Sequence, residues 1–452
     1  MKTEMKLTEG SVLISLIRFA LPTFFANLLQ SLYNMVDMMV VGQIVGSGGV
    51  AAISNASALA FLINAICLGA TTGGTVLIAQ FKGAGNRQGQ QEAIGAIYSL
   101  TGILAVLITL IGLLTYQLIF QAMQVPAESL QDAGAYMFVI LWGTIFVFGY
   151  NATCSILRGM GDAASPLLFV GIATVMNSFL DYLLVGGGHM GVVGAAYATV
   201  IAQGTSFLLS VWYLKRRNFL FDFKIRSFAI KKAIAVKVLK VSLPAAVQNA
   251  AVNVSYLIIA AMLNPYGVAI AAASGIGLKI NTFAGMPCWA VGSAMTAMAG
   301  QSMGAGLLER TNKIGKTGVS LNLMVTLLAV VVVQAFASPL IMVFDPDPAV
   351  VAAGVTYLRI CCFGNSLIYA VMYSFDSFAV GVGAAPLAML NALLDSLLLR
   401  LPLCFVLSGC FGAGFHGICW GQALSPILPM LIGGVYFFTG KWKNHDLLQN
   451  NP

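Results

Sequence analysis

KRRNFLFDFKIRSFAIKKAIAVKVLK (215–240) is the one substantial polar interruption in a chain that otherwise runs from apolar stretch to short turn and back. It divides 452 residues into two halves with six apolar runs each. Before it lie runs at roughly 14–42, 51–79, 93–117, 134–158, 165–186 and 191–214; after it, at 236–263, 268–300, 315–337, 352–379, 385–408 and 414–438. A run of about 20 residues, rising 1.5 Å per residue as a helix, crosses a hydrocarbon layer roughly 30 Å thick. The sequence therefore predicts an all-α membrane protein with twelve transmembrane helices. Its parts are an amino lobe at 1–214, a cytoplasmic basic linker at 215–235, and a carboxy lobe at 236–452 that ends in a short cytoplasmic tail. The linker itself reads as a solvated loop held near anionic headgroups.

Composition agrees. Hydrophobic residues make up 59% of the chain and charged ones 8%, against about 25% charged in soluble domains. That excludes a soluble enzyme and a disordered chain. The net charge of +8 does not point to nucleic acid, because its carriers lie between apolar runs. With the amino terminus cytoplasmic, the outer loops near 43–50, 118–133, 187–190, 264–267, 338–351 and 409–413 contain no Lys or Arg. The inner segments carry nearly all of them, among them Lys82, Arg87, Arg158, Arg310 and Lys441. This bias predicts that both termini are cytoplasmic in a multi-pass plasma (inner) membrane protein. The start, MKTEMKLTEGS, lacks the features of a signal peptide, so the first run is expected to be a retained span. The eight cysteines fall almost entirely within apolar runs and read as small hydrophobes.

The halves repeat. Leu21-Pro22 is followed by Asn27 and Leu243-Pro244 by Asn249; AQFKGAG (79–85) meets GQSMGAG (300–306); RGMGDAASPL (158–167) meets VGVGAAPL (380–387). The offset is 244 − 22 = 222 at one end and 301 − 80 = 221 at the other. An even number of spans per repeat makes the repeats parallel, with a central cavity expected between them.

Enzyme motifs fail. Gly315-Lys316-Thr317 has Arg310 where a phosphate loop needs Gly, and His189 and His416 lack the partner of a zinc helix. No nucleophile with a base is apparent, so the chain does not read as an enzyme. Four acids fall well inside spans: Asp37, Asp181, Asp376 and Asp395. A charge at mid-bilayer costs roughly 2.5–3.5 kcal/mol even on the lenient insertion scale, so each needs a partner, water or a proton. In the first span Asn27, Gln30, Asn34 and Asp37 follow a three-four-three spacing, and in the fifth Asn177 and Asp181 stand at i, i+4. Asp37 and Asp181 each lie five residues before a Gly taken as the span end, which predicts one shared depth, about 7–8 Å inside the outer boundary. Two carboxylates at one depth, with Asn34 and Asn177 a turn deeper, suit a proton or Na⁺; like-charge proximity and desolvation favour the proton. These four are the candidate cation-coupling residues, and no metal is expected beyond Na⁺ at that site.

Substrate-cavity candidates are Gln30, Asn249, Asn253, Tyr256, Lys279 and Met286, the last from a set of flexible thioethers suited to bulky apolar ligands. The second half places Ile259 opposite Asp37. Asp376, five residues before Gly381, is expected to be hydrated near the cytoplasm, and Asp395 to pair with one of Lys279, Arg359 and Arg400.

The repeat, LYNMVDMMVVGQIVG (32–46), ILRGMGDAASP (156–166), MNSFLDYLLVGG (176–187) and RLP (400–402) together resemble the MATE family of multidrug and toxic compound extrusion transporters. The resemblance implies two six-helix lobes forming a V and antiport of small cationic, often aromatic organic compounds against H⁺ or Na⁺. It places the amino-lobe cation site at Asp37, Asn177 and Asp181. It implies no cofactor, no nucleic-acid partner, membrane lipids as surroundings and a monomer. A lipid-linked oligosaccharide flippase of the same superfamily is the alternative; it wants a strongly cationic cavity.

Overall fold

The computed structural model describes residues 5–123, 125–216, 219–445 and 447–448, and these form helices with no strand among them. Twelve helices are long and apolar enough to span a bilayer. They are α1 (Val12–Ile44), α2 (Gly48–Gly83), α3 (Arg87–Ala122), α4 (Ser129–Gly159), α5 (Ala164–Gly187), α6 (Gly191–Arg216), α7 (Lys232–Tyr266), α8 (Val268–Gly304), α9 (Leu308–Ala335), α10 (Pro348–Gly381), α11 (Ala385–Cys410) and α12 (Gly414–Phe438). Each matches one apolar run. Most outrun it, because an internally hydrogen-bonded helix need not stop where the hydrocarbon does. The non-helical part of the linker is accordingly shorter than 215–235, since α6 continues to Arg216 and α7 begins at Lys232.

Local chemistry sets the turns. Asn86 starts α3 by accepting the Gly89 N–H at 2.8 Å. Asp162 starts α5 with three bonds, from the Ala164 N–H (3.1 Å), the Ser165 N–H (2.9 Å) and the Ser165 hydroxyl (2.6 Å). Helices α5, α10 and α11 each contain wide π-type turns, at Tyr182–Gly187, Leu358–Asn365, Leu394–Arg400 and Val406–Cys410. Such turns recur at functional sites.

α1–α6 form one lobe and α7–α12 the other. The lobes meet along α2 with α7 and α8, and along α1 with α8, at the end that carries the described chain termini. The Ser242 hydroxyl on α7 donates to Ala70 O on α2 at 2.6 Å. Gly83 and Gly304 let the backbones touch: a Cβ on Gly83 would stand 1.9 Å from Gln301 O, and one on Gly304 would stand 1.9 Å from Gln80 O. Gln80 donates to Gly381 O at 3.3 Å and Gln301 to Gly159 O at 2.9 Å, so each glutamine crosses to the other lobe. The molecule is a V whose seam follows the sequence repeat.

Two polar segments strap the seam. The arm before α1 is held by Arg310 at the start of α9, whose guanidinium donates to Leu7 O (2.9 and 3.1 Å), Glu9 O (2.7 Å) and Gly10 O (2.8 Å). Leu7 is fully buried in a core shared with Ala290, Met298 and Phe378 of the second half, and Met5 N–H donates to Gly161 O at 3.2 Å. On the other side α3 grips the segment before α7. Gln91 donates to Leu220 O at 2.7 Å, Ser99 to Phe228 O at 2.7 Å, and Lys231 pairs with Glu92 at 2.5 Å.

Candidate functional site

Helix periodicity brings Tyr33, Asp37, Val40 and Val41 to the buried face of α1, where Asp37 is 5% exposed. Helix α5 packs against α1 and buries Asn177 and Asp181 completely. The two carboxyls lie within electrostatic reach of one another. Asp37 Oδ1, both oxygens of Asp181 and both polar atoms of the Asn177 amide have no hydrogen-bond partner among the described residues. Ionised carboxylates only accept hydrogen bonds. A hydrogen bond between two carboxyls requires a proton on one of them, and carboxylate and amide oxygens are also the ligand type that a small hard cation takes.

Three residues that the sequence does not single out stand beside the pair. Tyr33 on α1 and Tyr136 on α4 lie against Thr199 of α6, within electrostatic reach of both aspartates. Among the described residues the Tyr33 and Thr199 hydroxyls have no hydrogen bond of good geometry. Tyr33 was detectable: it stands at i−4 from Asp37, on the same stripe. Asn34, expected on that stripe, is exposed, because at 100° per residue an i−3 neighbour turns to the other flank of Asp37. Tyr136 and Thr199 come from helices whose proximity no local pattern announces.

Among the cavity candidates, Gln30, Asn249, Asn253 and Tyr256 are half-buried and Lys279 is exposed, whereas Met286 is packed at 2% exposure. Asn253 donates to Asn249 O at 2.8 Å, and the Arg400 guanidinium lies 5.1 Å from the Tyr256 ring centroid. Asp395 does find a cation. Arg400 Nη2 donates to its Oδ2 at 2.6 Å and the Ser425 hydroxyl to its Oδ1 at 2.6 Å, while Arg359 is exposed. Asp376 departs from expectation, since it is 1% exposed rather than hydrated. The tail covers that end of α10: Trp442 packs on Phe378 at 5.3 Å and Leu447 on Gly383. Seven cysteines are buried and Cys410 is exposed. Among the described residues no group of three His, Cys, Asp or Glu side chains has the arrangement of a metal site.

The family model MatE matches the chain twice, over residues 22–183 and 244–406, one copy per half at an offset of 222 between their starts. The probable multidrug resistance protein YpnP of Bacillus subtilis is 27% identical over 436 residues, covering 96% of this chain and 97% of its own. The probable multidrug resistance protein NorM of Thermotoga maritima is 26% identical, covering 96% and 94%. A multidrug resistance MATE family transporter of the MOP superfamily, solved in an outward-facing conformation, superposes with a TM-score of 0.91 at 21% identity over 98% of both chains. With the family pattern present in each half, the chain belongs to the MatE family of transporters.

Proposed function

We propose that the protein is a secondary antiporter that exports cationic or amphipathic organic compounds, with H⁺ as the coupling ion. The observation that carries this reading is the buried pair Asp37 and Asp181 beside Asn177, with Asp37 Oδ1, both Asp181 oxygens and Asn177 Oδ1 lacking a donor among the described residues. Relatives named as multidrug resistance proteins support the substrate class.

In this reading both termini are cytoplasmic, the seam is the inner gate, and the V opens outward from a single polypeptide. Each half, 1–214 and 236–452, moves as one lobe about the linker. A proton arriving from outside binds one of the two aspartates and cancels part of their mutual repulsion. Helix α1 then repacks against α5, with Pro22 as the point where a backbone hydrogen bond is already missing. The change draws Gln30 and the polar faces of α7 and α8 together and displaces a cationic substrate outward. Na⁺ would need several converging oxygens, and Asn34, exposed as it is, does not add one.

The flippase alternative draws less support. Of Lys279, Arg359 and Arg400, the cations of the second half that could serve such a cavity, Arg400 is neutralised by Asp395. Reconstituted into proteoliposomes in sodium-free buffer, the protein is expected to move a substrate such as ethidium under a pH gradient alone. Transport driven only by a Na⁺ gradient would change the ion and leave the antiport reading in place. Movement of neither under either gradient would remove the antiport reading.

A further inference from the structure

The second half holds a buried carboxyl that the site above does not use. Asp376 on α10 is 1% exposed, and Asn391 on α11 is fully buried. Asn391 Nδ2 donates to Asp376 Oδ1 at 2.6 Å. The other oxygen of each side chain, Asp376 Oδ2 and Asn391 Oδ1, is buried with no hydrogen-bond partner among the described residues. Both are acceptors when the carboxyl is ionised, so neither can satisfy the other. Protonation of Oδ2 changes that. A carboxylic acid and a primary amide are complementary: the amide N–H donates to the acid carbonyl while the acid O–H donates to the amide carbonyl. One half of that ring is already formed.

The surroundings do not stabilise a charge. Among the described residues no Lys, Arg or His forms an ion pair with Asp376. Helix α11 contributes Asp395, whose charge opposes that of Asp376 and which is already bonded to Arg400. Helix α10 itself contributes the Tyr373 hydroxyl, within electrostatic reach of Asp376, and Asn322 of α9 is taken up by Ser374, to which it donates at 2.8 Å. Helix α12 packs the rings of Phe437 and Phe438 around Phe375, the residue before Asp376. A carboxylate held by one neutral hydrogen bond in such a pocket is costly, whereas a neutral acid paired with an amide is not.

We propose that Asp376 carries a proton and pairs with Asn391 as an acid–amide ring, giving the carboxy lobe a protonation site of its own. The site lies five residues along α10 from Gly381, the carbonyl that accepts Gln80 across the seam. Loss of the proton places an unpaired charge next to the inner gate and breaks one side of the α10–α11 contact. The inference is independent of the proposed role of Asp37 and Asp181.

Infrared spectroscopy reads it directly. The full-length protein in an ester-free detergent, carrying Asp37→Asn and Asp181→Asn to remove the other pair, is expected to show a protonated-carboxyl stretch near neutral pH. Adding Asp376→Asn should abolish that band, and Asn391→Leu, which retains the acid but removes both its partners, should shift it. The shift keeps the test decisive if Asp376→Asn does not fold. Superimposable spectra with and without Asp376 would overturn the proposal, as would a band that disappears when Na⁺ replaces K⁺, which would make the site a cation site.

Discussion

Gln80 and Gln301 do the same thing in opposite directions, each donating its side-chain amide to a carbonyl of the other lobe, Gly381 O and Gly159 O. The acceptors are 381 − 159 = 222 residues apart and the donors 301 − 80 = 221, so the seam obeys the repeat atom for atom. If opening that end is part of transport, both bonds break together. Gln80→Ala and Gln301→Ala should each favour separation of the lobes by about 0.5–1.5 kcal/mol, roughly a two- to tenfold change in population. Electron–electron distance measurements between labels on the inner ends of the two lobes check this. A response to only one of the two substitutions would mean that the symmetry has no energetic counterpart.

Gly83→Ala and Gly304→Ala should act more strongly, because the added Cβ meets a main-chain carbonyl that cannot rotate away. Overpacking of this kind costs typically about 1–3 kcal/mol. Both variants should insert and fold yet export poorly, with cysteines placed at the inner ends labelled faster from the linker side. Unchanged labelling and export would show that the helices separate there at no cost.

Asp37→Asn should abolish gradient-driven export while leaving the melting temperature close to that of the parent, since the amide preserves shape and loses the exchangeable proton. Asp181→Asn should weaken coupling similarly. Ethidium efflux from cells expressing each variant at matched levels is the measurement. Full efflux by Asp37→Asn would remove the aspartate from the mechanism.

The Asp395–Arg400 pair is structural in this reading. Both side chains are about 1% exposed and joined at 2.6 Å. Removing one partner strands a buried charge, so Asp395→Asn should destabilise by about 3–5 kcal/mol. The double variant Asp395→Leu with Arg400→Met should lose much less. Thermal melts in detergent decide it, and equal losses in the single and double variants would show that the charge is not what matters.

The sequence revealed the spans because a bilayer demands length and apolarity from each helix alone, and the repeat because the glycine turns at 83–85 and 304–306 cannot drift freely. It singled out Asp37 and Asp181 as a candidate pair because each lies inside an apolar run at the same distance from a glycine, and both are buried. It did not reveal the burial of Asp376, whose partner Asn391 comes from the next helix with no local pattern to announce it. Leu7 was hidden the same way, an apolar residue in a polar arm whose partner, Arg310, lies some 300 residues away and looks like an ordinary loop cation. The π turns in α10 and α11 have no sequence signal, and each shifts the faces beyond it from where a regular 100° step would place them.

Among the described residues the hydrogen bonds of Arg310 to the arm all fall on main-chain oxygens, at Leu7, Glu9 and Gly10, with the Glu9 carboxylate in electrostatic reach. It therefore recognises a backbone trace and one leucine rather than a particular sequence. A short synthetic peptide with leucine in register is then a competitor for that groove, and a molecule built on its outline becomes a blocker that works from the terminal face without resembling any exported compound. Such a peptide should slow substrate uptake into inside-out vesicles and lose its effect on Arg310→Ala; inhibition that survives Arg310→Ala would place its binding elsewhere.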